Sequence, residues 1–275
     1  MYIEFSFFSK RFYGINFMEL TVILPFYNNE KYIRKSLMSI LNQSYKNWFL
    51  ILINDASTDN SLKIVNEVLK SKKISKKKYK LILNKKNLGI TKSLNKALKI
   101  SKSKYIARAD ADDFYHKDRF KIQLSYLNKN TDIDVVGSNA NIVDLNDRVI
   151  EKIEMPYLDI DIKKSLIFRN TFFHSSIVAK LNFFKKNKFY NKNYKNAQDY
   201  DLWLRSFNNS KYSNIKNYLI FYRRNYENFS FSKIRCATMI RLRFLIREKK
   251  YIKGSISLIY NLLIDLYKYL KGKLI

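Results

Sequence analysis

Glycine is scarce in this chain of 275 residues, which has five, at positions 14, 89, 137, 254 and 272. A P-loop needs a glycine-rich turn, and the dinucleotide fingerprint needs three closely spaced glycines, so both are excluded. Any nucleotide must be held in another way. A single cysteine, Cys236, excludes an internal disulfide and makes a reducing cytoplasm the expected compartment. Together with His116 and His174 it exhausts the soft metal ligands, and no zinc set of the usual spacing can be drawn from three such residues. A hydrolytic triad is equally disfavoured, because His174 would serve alone and neither Ser175 nor Ser176 sits in a nucleophile elbow. Long apolar runs are missing as well. The most apolar C-terminal stretch is interrupted by Asn261, Asp265 and Lys268, too soon for a membrane span.

What is abundant is positive charge, with 53 Lys and Arg against 23 Asp and Glu for a formal net charge of +30. A field of that size favours anionic partners such as nucleic acid, acidic lipid or phosphorylated small molecules. The alternative is that most lysines are simply solvated. At 47% hydrophobic composition the chain can bury one large core, so a catalytic domain with a C-terminal extension is expected. Residues 1–17 are broken by Glu4, Lys10 and Arg11 and make a poor signal peptide. They read as a loosely attached extension, or as a mis-set start ahead of Met18.

From Leu20 to Gly137 short apolar runs alternate with helical spacing, which predicts a parallel sheet with helical crossovers. Strands are expected at Thr21 to Leu24, ended by Pro25, then at Trp48 to Ile53, Tyr79 to Leu83 and Tyr105 to Ala107. Between them, Ile33, Leu37, Ile40 and Leu41 share one helix face, Leu62, Val65, Val68 and Leu69 a second, and Leu94, Ala97 and Leu98 a third. Ser57, Thr58 and Asp59 supply capping chemistry for the second helix. Beyond Gly137 the alternation weakens, although Gln198 to Phe207 looks helical. In open parallel sheets ligands bind beyond the carboxyl ends of the strands. Pro25 to Asn28, Asn54-Asp55 and Asp110 to Asp113 all fall at such ends and should converge on one site.

Asp110, Asp112 and Asp113 put three carboxylates within four residues, an arrangement whose repulsion a hard divalent cation would relieve. Magnesium or manganese is often held by one or two carboxylates plus a substrate's phosphates, so this short turn suffices for a diphosphate ligand. Read without a ligand, the same turn is a loop capping a helix that starts near Lys117.

The ordered motifs Thr21-Val22-Ile23-Leu24-Pro25-Phe26-Tyr27-Asn28-Asn29-Glu30, Ser39-Ile40-Leu41-Asn42-Gln43-Ser44-Tyr45 and Asn54-Asp55-Ala56-Ser57-Thr58-Asp59 resemble glycosyltransferase family 2. Asn87-Leu88-Gly89, Ala107 to Asp113, Arg119 with Gln123, and Gln198 to Arg205 continue the resemblance, which covers roughly Leu20 to Ser230. It implies an α/β fold of the GT-A type, with a Rossmann-like, mostly parallel central sheet flanked by helices. It also implies an inverting, metal-dependent hexosyl transfer from a nucleoside-diphosphate sugar, a UDP-sugar in the first instance, within surface polysaccharide synthesis. By position, Pro25, Tyr27, Asn28, Asp55, Asp110, Ala111 and Asp112 would contact the nucleotide, with Tyr27 flanking the base and Asp55 hydrogen-bonded to it. Asp112, with Asp113, would hold Mn2+ or Mg2+. Asp199 corresponds to the catalytic base, although Gln198 replaces the commoner Glu and leaves Asp201 as a competitor. Without the resemblance, Asp199 and Asp201 would stabilise a helix N-terminus, and His174 would be a structural histidine.

In this division residues 18–137 bind the donor, 138–230 the acceptor, and 231–275 form a basic helical extension. Arg241 to Lys253 carries six Lys or Arg, and Ile256, Ile259, Leu263, Leu266, Leu270 and Leu274 follow at helical spacing. Such a helix can lie on an anionic membrane, which puts the protein at the inner face of the cytoplasmic membrane near a glycan or lipid-linked acceptor. It can equally pack on the domain. Two rivals remain at this point. A sugar-phosphate nucleotidylyltransferase lacks support because Pro25-Phe26-Tyr27-Asn28 stands where a glycine-rich loop should be. A basic nucleic-acid-binding protein has the charge but no recognised motif.

Overall fold

The computed structural model describes residues 18–224 and 231–248. The expected N-terminal extension and the stripe from Ile256 to Leu274 lie outside the described residues.

The alternation seen in the sequence folds into parallel strands β1 (Leu20–Phe26), β2 (Trp48–Asn54), β3 (Tyr79–Leu83) and β4 (Tyr105–Arg108). They are linked by α1 (Ile33–Leu41), α2 (Ser61–Ser71) and α3 (Ile90–Ile100). Each helix turns its expected face inward, Leu37 and Ile40, Val65 and Val68, and Leu94 and Ala97 all being buried. The first strand continues one residue past Pro25, which pairs with Ile53. Pro25 is tolerated there because pairing with β4 has already stopped at Ile23, so no ladder bond is asked of it on that side.

The second half follows a different logic. After β5 (Phe114–Tyr115) and α4 (Arg119–Lys129) come β6 (Val135–Val143), β7 (Val149–Ile153), α5 (Asp159–Leu166), β8 (Val178–Lys180) and α6 (Leu181–Lys186). The described chain closes with α7 (Gln198–Arg205), β9 (Tyr212–Arg223) and α8 (Phe231–Arg247). The sheet order is β3-β2-β1-β4-β8-β6-β9-β5, with β7 on β6. Pairing is parallel from β3 to β4, antiparallel on both sides of β8, and parallel again between β6 and β9. The central sheet is thus mixed, with its four adjacent parallel strands all drawn from residues 20–108. Helices cover both faces and enclose two cores, one around β1, α1, α2 and α4, the other around α3, α6, α7 and Trp203.

Candidate functional site

The carboxyl ends of β1, β2 and β4 carry three loops that are tied to one another. After β1, Asn28 takes a positive φ of 51°, and its amide side chain accepts from the Thr58 N–H at 2.9 Å while its own N–H donates to Ser57 Oγ at 3.2 Å. Glu30 and Asp59 complete the lacing, each accepting a backbone N–H from the other's loop at 2.9 Å. Tyr27 is left outside this lacing, with 44% of its surface exposed. Asp55 turns away from solvent. Its carboxylate accepts from Asn84 Nδ2 at 2.7 Å, Leu88 N–H at 2.9 Å and Gly89 N–H at 2.8 Å, fixing the Asn87-Leu88-Gly89 loop against β2. Gly89 sits at φ 83°, a conformation that costs a residue with Cβ about 1 kcal/mol or more.

The three aspartates after β4 receive three different environments. Asp110 is ion-paired through Oδ1 to the buried Arg108 guanidinium, and its carbonyl accepts from Ser36 Oγ at 2.7 Å. Its N–H donates to the Tyr115 hydroxyl at 2.6 Å. Asp113 is 2% exposed, with Oδ2 accepting from Ser175 Oγ at 2.5 Å and Oδ1 from the Arg223 N–H at 2.8 Å. Burial, then the charges of Asp112 and Asp110, push its carboxyl well above the usual range. Asp112 lies between them with no side-chain partner among the described residues, and Ala111 beside it is buried. Burial, then the charge of Asp110, raises the Asp112 carboxyl to about 6, with Arg108 and Arg223 opposing. An unpartnered, partly exposed carboxylate destabilised by a neighbouring anion is suited to a cation. A single such ligand is enough for magnesium or manganese when phosphate oxygens fill other positions. No three acidic, histidine or cysteine side chains converge on a metal position among the described residues, this turn included, so the protein would supply few of the cation's ligands.

Buried polar residues hold this turn. Arg119, wholly buried, donates to Gln123 Oε1 at 3.0 Å and to the carbonyls of Arg108 and Ile177 at 2.9 and 3.1 Å. Gln43 joins α1 to α4 by donating to the His116 carbonyl at 2.8 Å and accepting from Phe120 N–H at 3.0 Å. Arg223, at the end of β9, donates Nε to the Asp112 carbonyl at 3.0 Å and Nη1 to the Asp144 carbonyl at 2.7 Å, and pairs with Asp147. Its role is invisible in the sequence, since it stands more than a hundred residues from Asp113 with no spacing to link them.

Near the acidic turn, α7 begins after Ala197, held at φ 53°. Asp199 in its first turn accepts from Asn170 Nδ2 at 2.7 Å. Burial first, and the charge of Asp110 as a lesser cause, raise its carboxyl, so the two carboxylates are close enough to sense each other. Asp201 points elsewhere, accepting from Arg205 Nε at 2.7 Å in a pair tied to its own helix. His174 is hydrogen-bonded to the Tyr190 hydroxyl at 2.7 Å, and burial, then Arg108, holds it neutral. Beside the Asn87-Leu88-Gly89 loop, a cavity of about 260 Å³ is lined by Thr91, Lys92, Lys192, Tyr194 and Lys195.

The chain is similar to curated glycosyltransferases and to solved ones. An uncharacterized glycosyltransferase of Haemophilus influenzae is 35% identical over 193 residues, 67% of this chain and 58% of that protein, so the chain spans little more than half of this relative. The O-antigen biosynthesis glycosyltransferase WbnJ of Escherichia coli is 28% identical over 88% of this chain and 94% of its own length. S. aureus TarS, solved with UDP, superposes with a TM-score of 0.62 at 22% identity, covering 86% of this chain and 73% of that one. The mannosyltransferase PcManGT of Pyrobaculum calidifontis, solved with GDP-Man and Mn2+, gives 0.63 at 13% identity over 93% of this chain and 73% of its own. At these identities the structural likeness establishes a GT-A fold, with its curled mixed sheet between helices. The model described as glycosyl transferase family 2 matches residues 21–208, a span that contains Asp55, Asp112 and Asp199, and the chain belongs to that family.

Proposed function

We propose that the chain transfers a hexose, with inversion, from a nucleoside-diphosphate sugar to a hydroxyl of a glycan or lipid-linked acceptor in surface polysaccharide synthesis. The observation that carries this is the approach of α7 to the acidic turn, where Asp199 feels the charge of Asp110, two residues before the unpartnered Asp112. Names of relatives support the setting, since WbnJ acts in O-antigen biosynthesis and the solved neighbours hold UDP or GDP-Man.

In this reading the donor half, 18–137, holds the nucleotide between Tyr27 and the loop fixed by Asp55, with Pro25, Asn28, Asp110 and Ala111 shaping the floor. Asp112 would hold Mn2+ or Mg2+ at the diphosphate, and Asp113, anchored by Ser175 and the Arg223 N–H, steadies the turn. When bound, the cation offsets the charge that grows on the departing diphosphate. Asp199 takes the proton from the acceptor hydroxyl as its oxygen bonds to the anomeric carbon and the bond to the diphosphate breaks. Asn170 orients Asp199 for that transfer. The raised carboxyl of Asp199 makes it a stronger base than an exposed aspartate, which suits a hydroxyl acceptor.

The test is donor turnover. Nucleoside diphosphate should be released from one member of a nucleotide-sugar panel with metal, and release should stop with chelator. A nucleic-acid-binding protein would instead bind oligonucleotides in a steeply salt-dependent way and ignore every donor.

A further inference from the structure

We propose that the outward face of α8 docks on an anionic lipid bilayer and so brings Asp199 to an acceptor carried in that bilayer. The inner face of α8, Ile240, Phe244 and Leu245, is buried at 3% exposure each, and Phe244 meets Phe207 with ring centroids 5.1 Å apart. On the outer face Met239, Leu242 and Ile246 remain 45, 41 and 47% exposed. At about 100° per residue they fall within roughly 60° of one another, so they form one stripe. A helix that packs one face on its domain ordinarily presents polar groups on the other. Three large apolar side chains in line on the solvent side break that pattern.

Charge identifies the occupant. Arg235, Arg243 and Arg247 share the exposed side of α8 with the stripe. Arg243 reaches the Tyr194 hydroxyl at 2.7 Å, joining α8 to the loop that carries the exposed Lys192 and Lys195. An apolar stripe rimmed by arginine seats a helix in the headgroup layer of an anionic bilayer, and a net charge of +30 adds long-range attraction to it. A second copy of the chain suits the face poorly, because a two-fold contact would set these arginines against their own copies.

α8 runs alongside α7 in the same direction, with Cys236 Sγ donating to the Asn196 carbonyl at 3.1 Å and Arg247 Nη2 to the Leu204 carbonyl at 2.9 Å. A bilayer on the outer face of α8 therefore lies about one helix layer, ~10 Å, from the helix that carries Asp199. The acceptor assignment rests on the reading of Asp199 as the base, whereas the docking surface does not.

The full chain is tested with phosphatidylcholine vesicles, with and without phosphatidylglycerol. A Leu242→Trp variant reports contact by difference, because the native Trp48 and Trp203 are 3% and 0% exposed and their emission should not respond to lipid. Its emission should shift to the blue and be quenched by brominated acyl chains in anionic vesicles only. Flotation of the wild type with those vesicles should fall roughly tenfold or more in the combined Met239→Asp, Leu242→Asp, Ile246→Asp variant, with donor turnover unchanged. Wild type that stays free of anionic vesicles, equal flotation of the variant, or a dimer that the variant dissolves would overturn the docking. Flotation without turnover of any donor would sustain the docking and remove the acceptor assignment.

Discussion

Asp199 and Asp201 stand two residues apart, on nearly opposite sides of α7, and are treated in opposite ways. Asp199 is held by a neutral amide from Asn170, whereas Asp201 is neutralised by Arg205 on its own helix. Asp199→Asn should therefore leave thermal stability and donor binding near wild type while lowering turnover by about a thousandfold or more. Asp201→Asn should do the reverse, costing about 1–2 kcal/mol in a thermal melt while retaining turnover. Loss of turnover in the second variant alone would exchange their roles. The pH profile gives an independent reading. A carboxylate whose value is raised by burial takes up its proton earlier as pH falls, so a base at Asp199 loses activity on an acid limb centred above 3.8, the ordinary aspartate value. That limb should disappear in Asp199→Asn. A limb at or below the ordinary value would point away from Asp199.

At the scale of the element, the β4 turn shows what a sequence can and cannot disclose. Three aspartates in four residues announce an acidic turn, but not that Arg108, Ser175 and Arg223 occupy two of them and leave Asp112 without a side-chain partner among the described residues. Asp113, adjacent to Asp112 in sequence, would be a second metal ligand by proximity, and only the fold reveals its carboxylate as anchored by Ser175 and the Arg223 N–H. Asp113→Ala should cost about 2 kcal/mol of stability, because it leaves two buried donors unpaired. Arg223→Lys keeps the charge but loses the fork that reaches Asp112, Asp144 and Asp147 together. It should lower the melting temperature and weaken apparent metal affinity, as titration of donor turnover with Mn2+ would show; unchanged affinity would confine Arg223 to a stability role. The helices of the first half, α1 to α3, were legible because each has a single apolar stripe against one sheet. The strands after Gly137 were not, because β6 carries buried Ser138, Asn139 and Asn141 and so gives no clean apolar run.

At the scale of the whole molecule, the two halves of the sheet differ in topology. Parallel strands bring three loops to one edge, as their order in the sequence foretells, while β8 enters antiparallel and carries the His174 to Ser176 segment in beneath the acidic turn. Such a connection joins residues distant in sequence, which is why Ser175 and Asn170 carried no signal of their own. The described residues contain no helix long and apolar enough to cross a membrane.

The account turns on one comparison, the release of nucleoside diphosphate from a panel of nucleotide sugars by wild type, Asp112→Ala and Asp199→Asn, with Mn2+, with Mg2+ and with chelator. It predicts that one donor turns over with metal in the wild type, that Asp112→Ala loses both turnover and metal dependence, and that Asp199→Asn binds this donor without turning it over. Turnover that persists in chelator or survives Asp112→Ala would contradict it.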